Sequence, residues 1–374
     1  MKTMQPNKKI LFLTLDAFSN VGGIQTVCKN IAFSLNSITN KSKKLEFMNL
    51  SIYDEVADAN YIDTNKFHGF NGNKLSFLAQ AFKRGISSQI ILISHVNLLG
   101  VALVIKLLNR KSRIVMLAHG TEMWRPIHKW KKYFLNFAVD IGSVSLHTRQ
   151  MLIAKHKIKS EKITILNGCL EPFYKVVQSL SKPERLLSLH GLTLSQPILL
   201  SVCRISIHDR NKGYDHTLNA LPKILMEFPN LHYFMIGYAE RSESIRIKSL
   251  IEKLGIINHV TILGQVPKTD LDSYYLLADV FVLPSEKEGF GLVFIEAASF
   301  GCIVISGDED GSKEALPHGG LGVAVSPDAA SIASQVAISL RTLRSPISRR
   351  KIINACIKQF NHKSYEDRIK QLLR

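Results

Sequence analysis

Two glutamates eight residues apart, Glu288 and Glu296, stand in the stretch PSEKEGFGLVFIEAASFGCIVIS that runs from Pro284 to Ser306. Glu288 falls in a polar turn, Ser285 to Gly291, and Glu296 falls inside an apolar segment with helical spacing, Leu292 to Phe300. Ionised carboxylates accept charge-assisted hydrogen bonds, so such a pair suits the hydroxyls of a sugar. Gly289 and Gly291 flank Phe290 and let the backbone pass close to a ligand, with amides near Leu292 facing it at the helix start. Taken alone, Glu288 is better explained as a charge favoured by the helix dipole. Glu296, between Ile295 and Ala297, is a less comfortable surface residue.

Two further positions have the placement of site residues. Gly22-Gly23 follows a short apolar run and opens a segment with Ile24, Val27, Ile31 and Leu35 on one helical face. The pair makes a phosphate-type turn or simply a tight one, and it lacks the G-x-G-x-x-G pattern of a dinucleotide cofactor. His119 ends the apolar run Ile114–Ala118 and is followed by Gly120.

The elements that must hold these residues alternate between strand and helix. Val280–Leu283, stopped by Pro284, reads as a buried strand, Leu292–Phe300 as a helix ended by Gly301, and Cys302–Ser306 as the next strand. That is a βαβ unit whose loop lies at the carboxyl end of a strand, where open parallel sheets bind ligands. Further strands are expected at Lys9–Leu15, Lys44–Tyr53, Ile90–Ser94, Ile114–Ala118, Asp140–Ser145, Ile163–Leu166, Ile198–Val202, Leu231–Ile236 and Val260–Leu263. Helices are expected at Leu75–Lys83, Trp124–Phe137, Tyr214–Met226, Asp270–Leu277, Ala329–Leu343 and Phe360–Leu373. The Ser/Lys/Pro-rich stretch from Pro172 to about Pro197 reads as a linker without long elements.

The run PSEKEGFGLVFIEAASFGCIVI resembles the signature of the family 4 glycosyltransferases, with Glu288 and Glu296 as its E-x7-E pair. The resemblance extends over most of the chain. It implies an α/β protein of the GT-B class, two Rossmann-like domains with parallel sheets facing across a cleft. The expected boundaries are 1–175 for an acceptor domain and 190–355 for a nucleotide-sugar donor domain, with 356–374 a helix returning to the first. Arg204, Lys212, Gly213 and Asp215 match the family's arginine-then-lysine pattern, which implies that Arg204 and Lys212 stabilise a leaving nucleotide diphosphate. By the same resemblance His119 reaches the donor sugar, Glu288 holds its hydroxyls and Glu296 the ribose. Gly22, Gly23, Gly289, Phe290, Gly291 and Leu292 complete the donor-binding set. The implied reaction is transfer of a sugar from a UDP-sugar, or a GDP-sugar, to an acceptor hydroxyl with retention at the anomeric carbon. The setting it implies is bacterial envelope or extracellular glycan synthesis with a glycan or lipid-linked acceptor. No cofactor or metal is expected, and the acidic DEDG run at Asp308–Gly311 matches a family turn through Gly311 and Glu314. Three departures stand out. Leu166 replaces the usual proline before Asn167-Gly168, Cys203 replaces the glycine before the arginine, and Tyr238-Ala239-Glu240 replaces a second glycine.

Composition sets the outer bounds. At 374 residues the chain suits two domains, and with 46% hydrophobic residues it is not a disordered polypeptide. Five cysteines in no ligand spacing read as buried, reduced thiols of a cytoplasmic protein. The basic start before an apolar run imitates a signal peptide, but Asp16 interrupts that run, so a first strand is expected. Ile90–Leu108 is apolar enough to suggest a membrane span, yet Ser94, His95 and Asn97 interrupt it. The net charge of +18 is uneven: residues 1–175 hold 25 Lys and Arg against 10 Asp and Glu. A basic half recruits an anionic partner. With Trp124, Trp130, Tyr133 and Phe134 interleaved among Arg125, Lys129, Lys131 and Lys132, the expected partner is an anionic membrane surface, at the inner face of the cytoplasmic membrane. The alternative is a helix whose aromatics face a core. Nucleic acid is disfavoured, because no recognisable binding motif accompanies the charge. A non-catalytic polyanion-binding protein and a GT-B phosphorylase are the competing function classes.

Overall fold

The computed structural model describes residues 8–42, 44–319, 322–342 and 346–374. The residues before Lys8 that prompted the signal-peptide comparison, and the Leu343 end of the expected helix, lie outside the described residues. The chain divides into two units, one running to Pro172 and taking back His362–Arg374, the other Phe173–Asn361.

The first unit is built on a sheet of seven strands: β1 (Lys8–Thr14), β2 (Leu45–Ser51), β3 (Phe67–Gly69), β4 (Ile90–Ile93), β5 (Arg113–Ala118), β6 (Val139–Ser143) and β7 (Ile163–Ile165). Their order is β3-β2-β1-β4-β5-β6-β7, and every pairing is parallel. The second unit has β8 (Ile198–Val202), β9 (His232–Ile236), β10 (Val260–Gly264), β11 (Val280–Leu283), β12 (Ile303–Gly307) and β13 (Gly322–Val325). The order β10-β9-β8-β11-β12-β13 repeats the same pattern, again all parallel. Parallel sheets carry helices on both faces, so the strands are continuous apolar runs rather than alternating ones. Ile90–Ile93 and Val280–Leu283 are buried at every position.

The strand order reverses between β1 and β4 in one unit and between β8 and β11 in the other. Loops leaving the carboxyl ends of strands at such a reversal form the ligand crevice of doubly wound sheets. Gly22-Gly23 follows β1, Arg204 and Lys212 follow β8, and Glu288 follows β11; His119 follows β5, one strand further out.

The structure corrects several sequence expectations. Trp124–Phe137 is not one helix. Thr121–Trp124 is a single turn and the helix proper is Lys129–Ala138, because Pro126 lacks an amide to continue the first and Arg125 is extended. Trp124 is buried, edge-on to His147 with ring centroids 5.1 Å apart, so it belongs to the core and not to a surface. The 172–197 stretch contains the helix Glu184–His190, anchored by buried Leu186 and Leu187 and closed by Gly191. The last helix starts at His362, not Phe360, which ends the preceding helix Pro346–Phe360. That preceding helix lies in the second unit, where Cys356 Sγ donates to the Ile295 carbonyl at 3.2 Å. The final helix, His362–Leu372, packs in the first unit. There the His362 ring meets Phe33 edge-on at 5.0 Å and its Nε2 lies 3.0 Å from Ser34 Oγ. Ile90–Leu108 is β4, a 3-10 turn and the helix Leu99–Leu108. Among the described residues no helix is long and apolar enough to cross a membrane.

Candidate active site

In the second unit the loop after β8 carries the cations. A 3-10 turn, Ile207–Lys212, ends at Gly213 with φ +81°, and a side chain there would bring its Cβ to 2.1 Å from the Pro284 carbonyl oxygen. Only glycine allows this approach, which sets the loop after β8 against the loop after β11. The result is a direct ion pair between Lys212 Nζ and Glu288 Oε2, with the side chains 22% and 18% exposed. Burial works against the lysine charge, but Glu288 beside it outweighs burial and holds the Lys212 pKa above the ordinary lysine value. Arg204 is 66% exposed and is held by Asp209, with Nε to Oδ2 at 3.0 Å. Asp209 also accepts from Ser206 Oγ and adds to the field that keeps Lys212 charged.

A buried aspartate fixes the other side. Asp310 Oδ2 accepts from the Glu288 amide at 2.6 Å and from Ser285 Oγ at 2.9 Å, while Oδ1 accepts from the Ser312 amide at 2.8 Å and its hydroxyl at 2.6 Å. Burial outweighs these bonds and draws the Asp310 pKa above the usual carboxylate range. The acidic DEDG run is thus a clamp on the Glu288 loop. Gly311 closes the arrangement, since a Cβ there would lie 2.1 Å from the Gly289 carbonyl oxygen. Gly291, in the left-handed region, caps the helix Leu292–Ser299. Phe290 is buried against Phe360, with centroids 6.0 Å apart, so what it offers a ligand is backbone rather than ring. Glu296 is half-buried on that helix and accepts a hydrogen bond from the buried Tyr275 hydroxyl at 3.0 Å.

Behind the cation loop lies a network that the motifs did not reveal. Buried Glu243 accepts from Arg210 Nη2 at 2.8 Å, Arg246 Nη2 at 2.6 Å and the Tyr214 hydroxyl at 2.9 Å. Burial alone would raise its pKa; the two arginines and the tyrosine reverse that and bring it to about 2. Asp215, aligned in sequence with the cation motif, accepts from Arg246 at 2.8 Å and serves this network.

The first unit repeats the device. Asp54, fully buried, accepts from the amides of Ala17, Phe18 and Ser19 at 2.7, 3.0 and 2.7 Å, and from the hydroxyls of Ser19 and Ser51 at 2.7 Å each. Burial pulls its pKa up, but these donors outweigh it and leave the carboxyl below the ordinary range. Asp54 thereby shapes the loop that leads to Gly22-Gly23 and the helix Gly23–Asn40. Neither glycine lies in the left-handed region, Gly22 being extended at φ 171°; a Cβ at Gly22 would lie 2.5 Å from Gln25 Oε1, the movable end of a side chain, and a Cβ at Gly23 would meet nothing within 4 Å. Neither position therefore needs glycine for a left-handed turn. His119 is oriented by two contacts: its amide donates to Glu122 Oε1 at 2.6 Å and its ring Nε2 donates to the Ser94 carbonyl at 2.7 Å, while the buried Nδ1 has no hydrogen-bond partner among the described residues. Sequence reasoning could not find Asp54, because the loop amides it holds are 35 to 37 residues away. Among the described residues no three His, Cys, Asp or Glu side chains are grouped to hold a metal ion.

Residues 189–359 match the sequence model of the family described as glycosyl transferases group 1. The second unit belongs to this family. Among curated proteins, the GDP-mannose-dependent alpha-(1-6)-phosphatidylinositol monomannoside mannosyltransferase of Mycobacterium tuberculosis is 33% identical over 121 residues, 30% of this chain and 31% of its own length. The gpi3 subunit of the phosphatidylinositol N-acetylglucosaminyltransferase of Schizosaccharomyces pombe is 31% identical over 118 residues, 32% of this chain and 25% of its own. The matched stretch thus spans a third or less of these curated relatives. Among solved structures, Anabaena HepE in complex with UDP and glucose superposes with a TM-score of 0.75 at 18% identity, covering 98% of this chain and 99% of that one. The fold is that of the GT-B glycosyltransferases. The matched span contains Arg204, Lys212, Glu288, Glu296 and Asp310, which clamps the Glu288 loop.

Proposed function

We propose that this protein is a glycosyltransferase that moves a sugar from a nucleotide diphosphate sugar to an acceptor hydroxyl, with retention at the anomeric carbon. The observation that carries the reading is the Lys212–Glu288 pair with Arg204 nearby in sequence, on the loops leaving β8 and β11 at the reversal of strand order. Departure of a diphosphate builds negative charge on its oxygens, and fixed cations stabilise that charge most where solvent is limited. Lys212 is held charged despite its burial, and Arg204 presents a guanidinium able to grip phosphate with two parallel hydrogen bonds. In this reading the bond from the anomeric carbon to the diphosphate breaks, the acceptor oxygen attacks the same face, and the diphosphate takes the acceptor proton. Glu288 holds hydroxyls of the transferred sugar, Glu296 holds the ribose, and His119 contacts the sugar through Nδ1. Gly22, Gly23, Gly289 and the backbone of Phe290, Gly291 and Leu292 approach the donor.

The donor is proposed to be a UDP-sugar, which the UDP complex of the HepE neighbour supports, with a GDP-sugar as the second candidate on the strength of the GDP-mannose-dependent relative. The reaction needs no metal in this reading, since the protein supplies the cations. The acceptor is proposed to be a glycan or lipid-linked sugar of a bacterial envelope, met at the inner face of the cytoplasmic membrane by the basic first half. The decisive experiment is a thermal-shift panel of UDP-, GDP- and ADP-sugars, followed by anomeric analysis of the product made with the best donor. A product of inverted configuration, or turnover abolished by EDTA and restored by Mg²⁺, would overturn this mechanism. Turnover that requires inorganic phosphate would point instead to a phosphorylase.

A further inference from the structure

An apolar groove of about 540 Å³ lies in the first unit between the helices Leu99–Leu108 and Lys129–Ala138. Trp130, Tyr133, Phe134 and Phe137 recur at helical spacing along one wall, and Leu103 and Leu107 form the other. Three of these are large and open to solvent: Leu107 is 65% exposed, Tyr133 72% and Phe137 74%. A contiguous apolar face of this kind marks a site of interaction.

The groove has two unlike ends. Each helix runs between parallel strands, so both begin at the carboxyl edge of the sheet and finish at the amino edge. Trp130 stands at the first of these edges, 3.9 Å from where a Cβ on Gly100 would lie, and Phe137 stands towards the second. At the amino-edge end, Lys106 donates its ammonium to the carbonyls of Arg110 and Ser112 at 2.8 and 2.5 Å and leaves only its hydrocarbon stem to line the groove. At the other end two cations meet: Lys129 opens the helix and lines the groove, and Lys131 lies over the Trp130 ring at 5.8 Å. The same edge carries His119. Its neighbour His95 has a lowered pKa, chiefly from burial, with His119 and Lys131 adding to the effect and Glu122 opposing it.

We propose that this groove holds the hydrocarbon tail of an anionic lipid-linked acceptor, with the phosphate at Lys129 and Lys131 and the acceptor sugar at the His119 edge. The inference rests on the glycosyltransferase reading and adds to it the chemical class of the acceptor. At about 1.5 Å per helical residue, Trp130 to Phe137 spans roughly 10 Å, which fits a limited length of chain.

The test titrates the full chain with single-chain alkyl phosphates of four to twelve carbons, below their micelle concentrations, with calorimetry as the readout. Affinity is expected to rise about fourfold per added methylene and then level off once the groove is filled. A bromine on the chain is expected to quench Trp130 fluorescence in the wild-type protein, and Trp130→Phe to remove that quenching. Leu107→Glu with Phe137→Glu, both at exposed positions, should abolish the chain-length dependence. Lys129→Glu with Lys131→Glu should weaken all chains together. Affinity independent of chain length, or unchanged in the Leu107/Phe137 variant, would overturn the proposal. So would a wild-type dimer that the Leu107/Phe137 variant dissolves, because the groove would then be an interface between copies. Hydrolysis of the nucleotide sugar without acceptor is measured in parallel and should survive in the groove variants. Its absence from the wild-type protein would count against the glycosyltransferase reading, whatever the alkyl phosphates do.

Discussion

Removing the Asp310 carboxylate should both destabilise the second unit and disable the site. Four donors converge on it, and two of them are the backbone amides of Glu288 and Ser312. In Asp310→Ala these amides lose their partner in a region where Ser285, Asp310 and Ser312 are fully buried. Each buried donor left unpaired costs about 1–3 kcal/mol, so the expected loss is about 2–6 kcal/mol. Asp310→Asn keeps one acceptor oxygen and turns an amide group towards the remaining donors, so about half that loss is expected. The rate effect is separate from stability. Glu288 pairs with Lys212 from the loop that Asp310 holds, and a displacement of about 1 Å at a reacting centre costs on the order of 10² in rate. Urea unfolding measures the first effect. Turnover of the donor, assayed well below the unfolding midpoint, measures the second. A kcat for Asp310→Ala near that of the parent would refute the positioning argument even if stability fell. A stability loss below about 1 kcal/mol would refute the satisfaction argument.

Arg204→Ala and Lys212→Ala should each lower kcat by roughly 10²–10³, as deletion of one preorganised donor to developing charge does elsewhere, and a folded variant with near-normal turnover would remove that residue from the mechanism. Glu296→Gln should raise KM for the donor, whereas Glu288→Gln should lower kcat because its carboxylate also answers Lys212; identical kinetic effects would show that the two roles are not distinct. Glu243, at about 2 in the folded protein against an ordinary 4.5, contributes stability that is present in full above pH 4.5 and is lost as the pH falls towards 2. That shift is worth about 3 kcal/mol, and Glu243→Gln should flatten the acid limb of the stability profile measured by urea unfolding.

The sequence by itself determined the period of the fold and the chemistry of its loops. Short apolar runs bounded by glycine and proline marked most of the parallel strands, because strands covered by helices on both faces need no alternation. Glu296 stood out for a different reason, since a carboxylate inside a helix between Ile295 and Ala297 is an uncomfortable surface residue, whereas Glu288 drew notice only through the motif around it. Pro126 breaks the helix that the aromatic and basic pattern around it suggests. What only the tertiary structure decided is which residues hold those loops. Asp54 meets amides 35 to 37 positions away, Asp310 meets Glu288 across 22 and Ser285 across 25, and Glu243 meets Arg210 across 33. No local spacing encodes such contacts, since they exist only once parallel strands from distant parts of the chain lie side by side. The fate of the aromatics was decided in the same way. Trp124 is buried in a separate turn before Pro126 and Phe134 joins the core of the first unit, while Tyr133 and Phe137 on the same helix as Phe134 stay exposed.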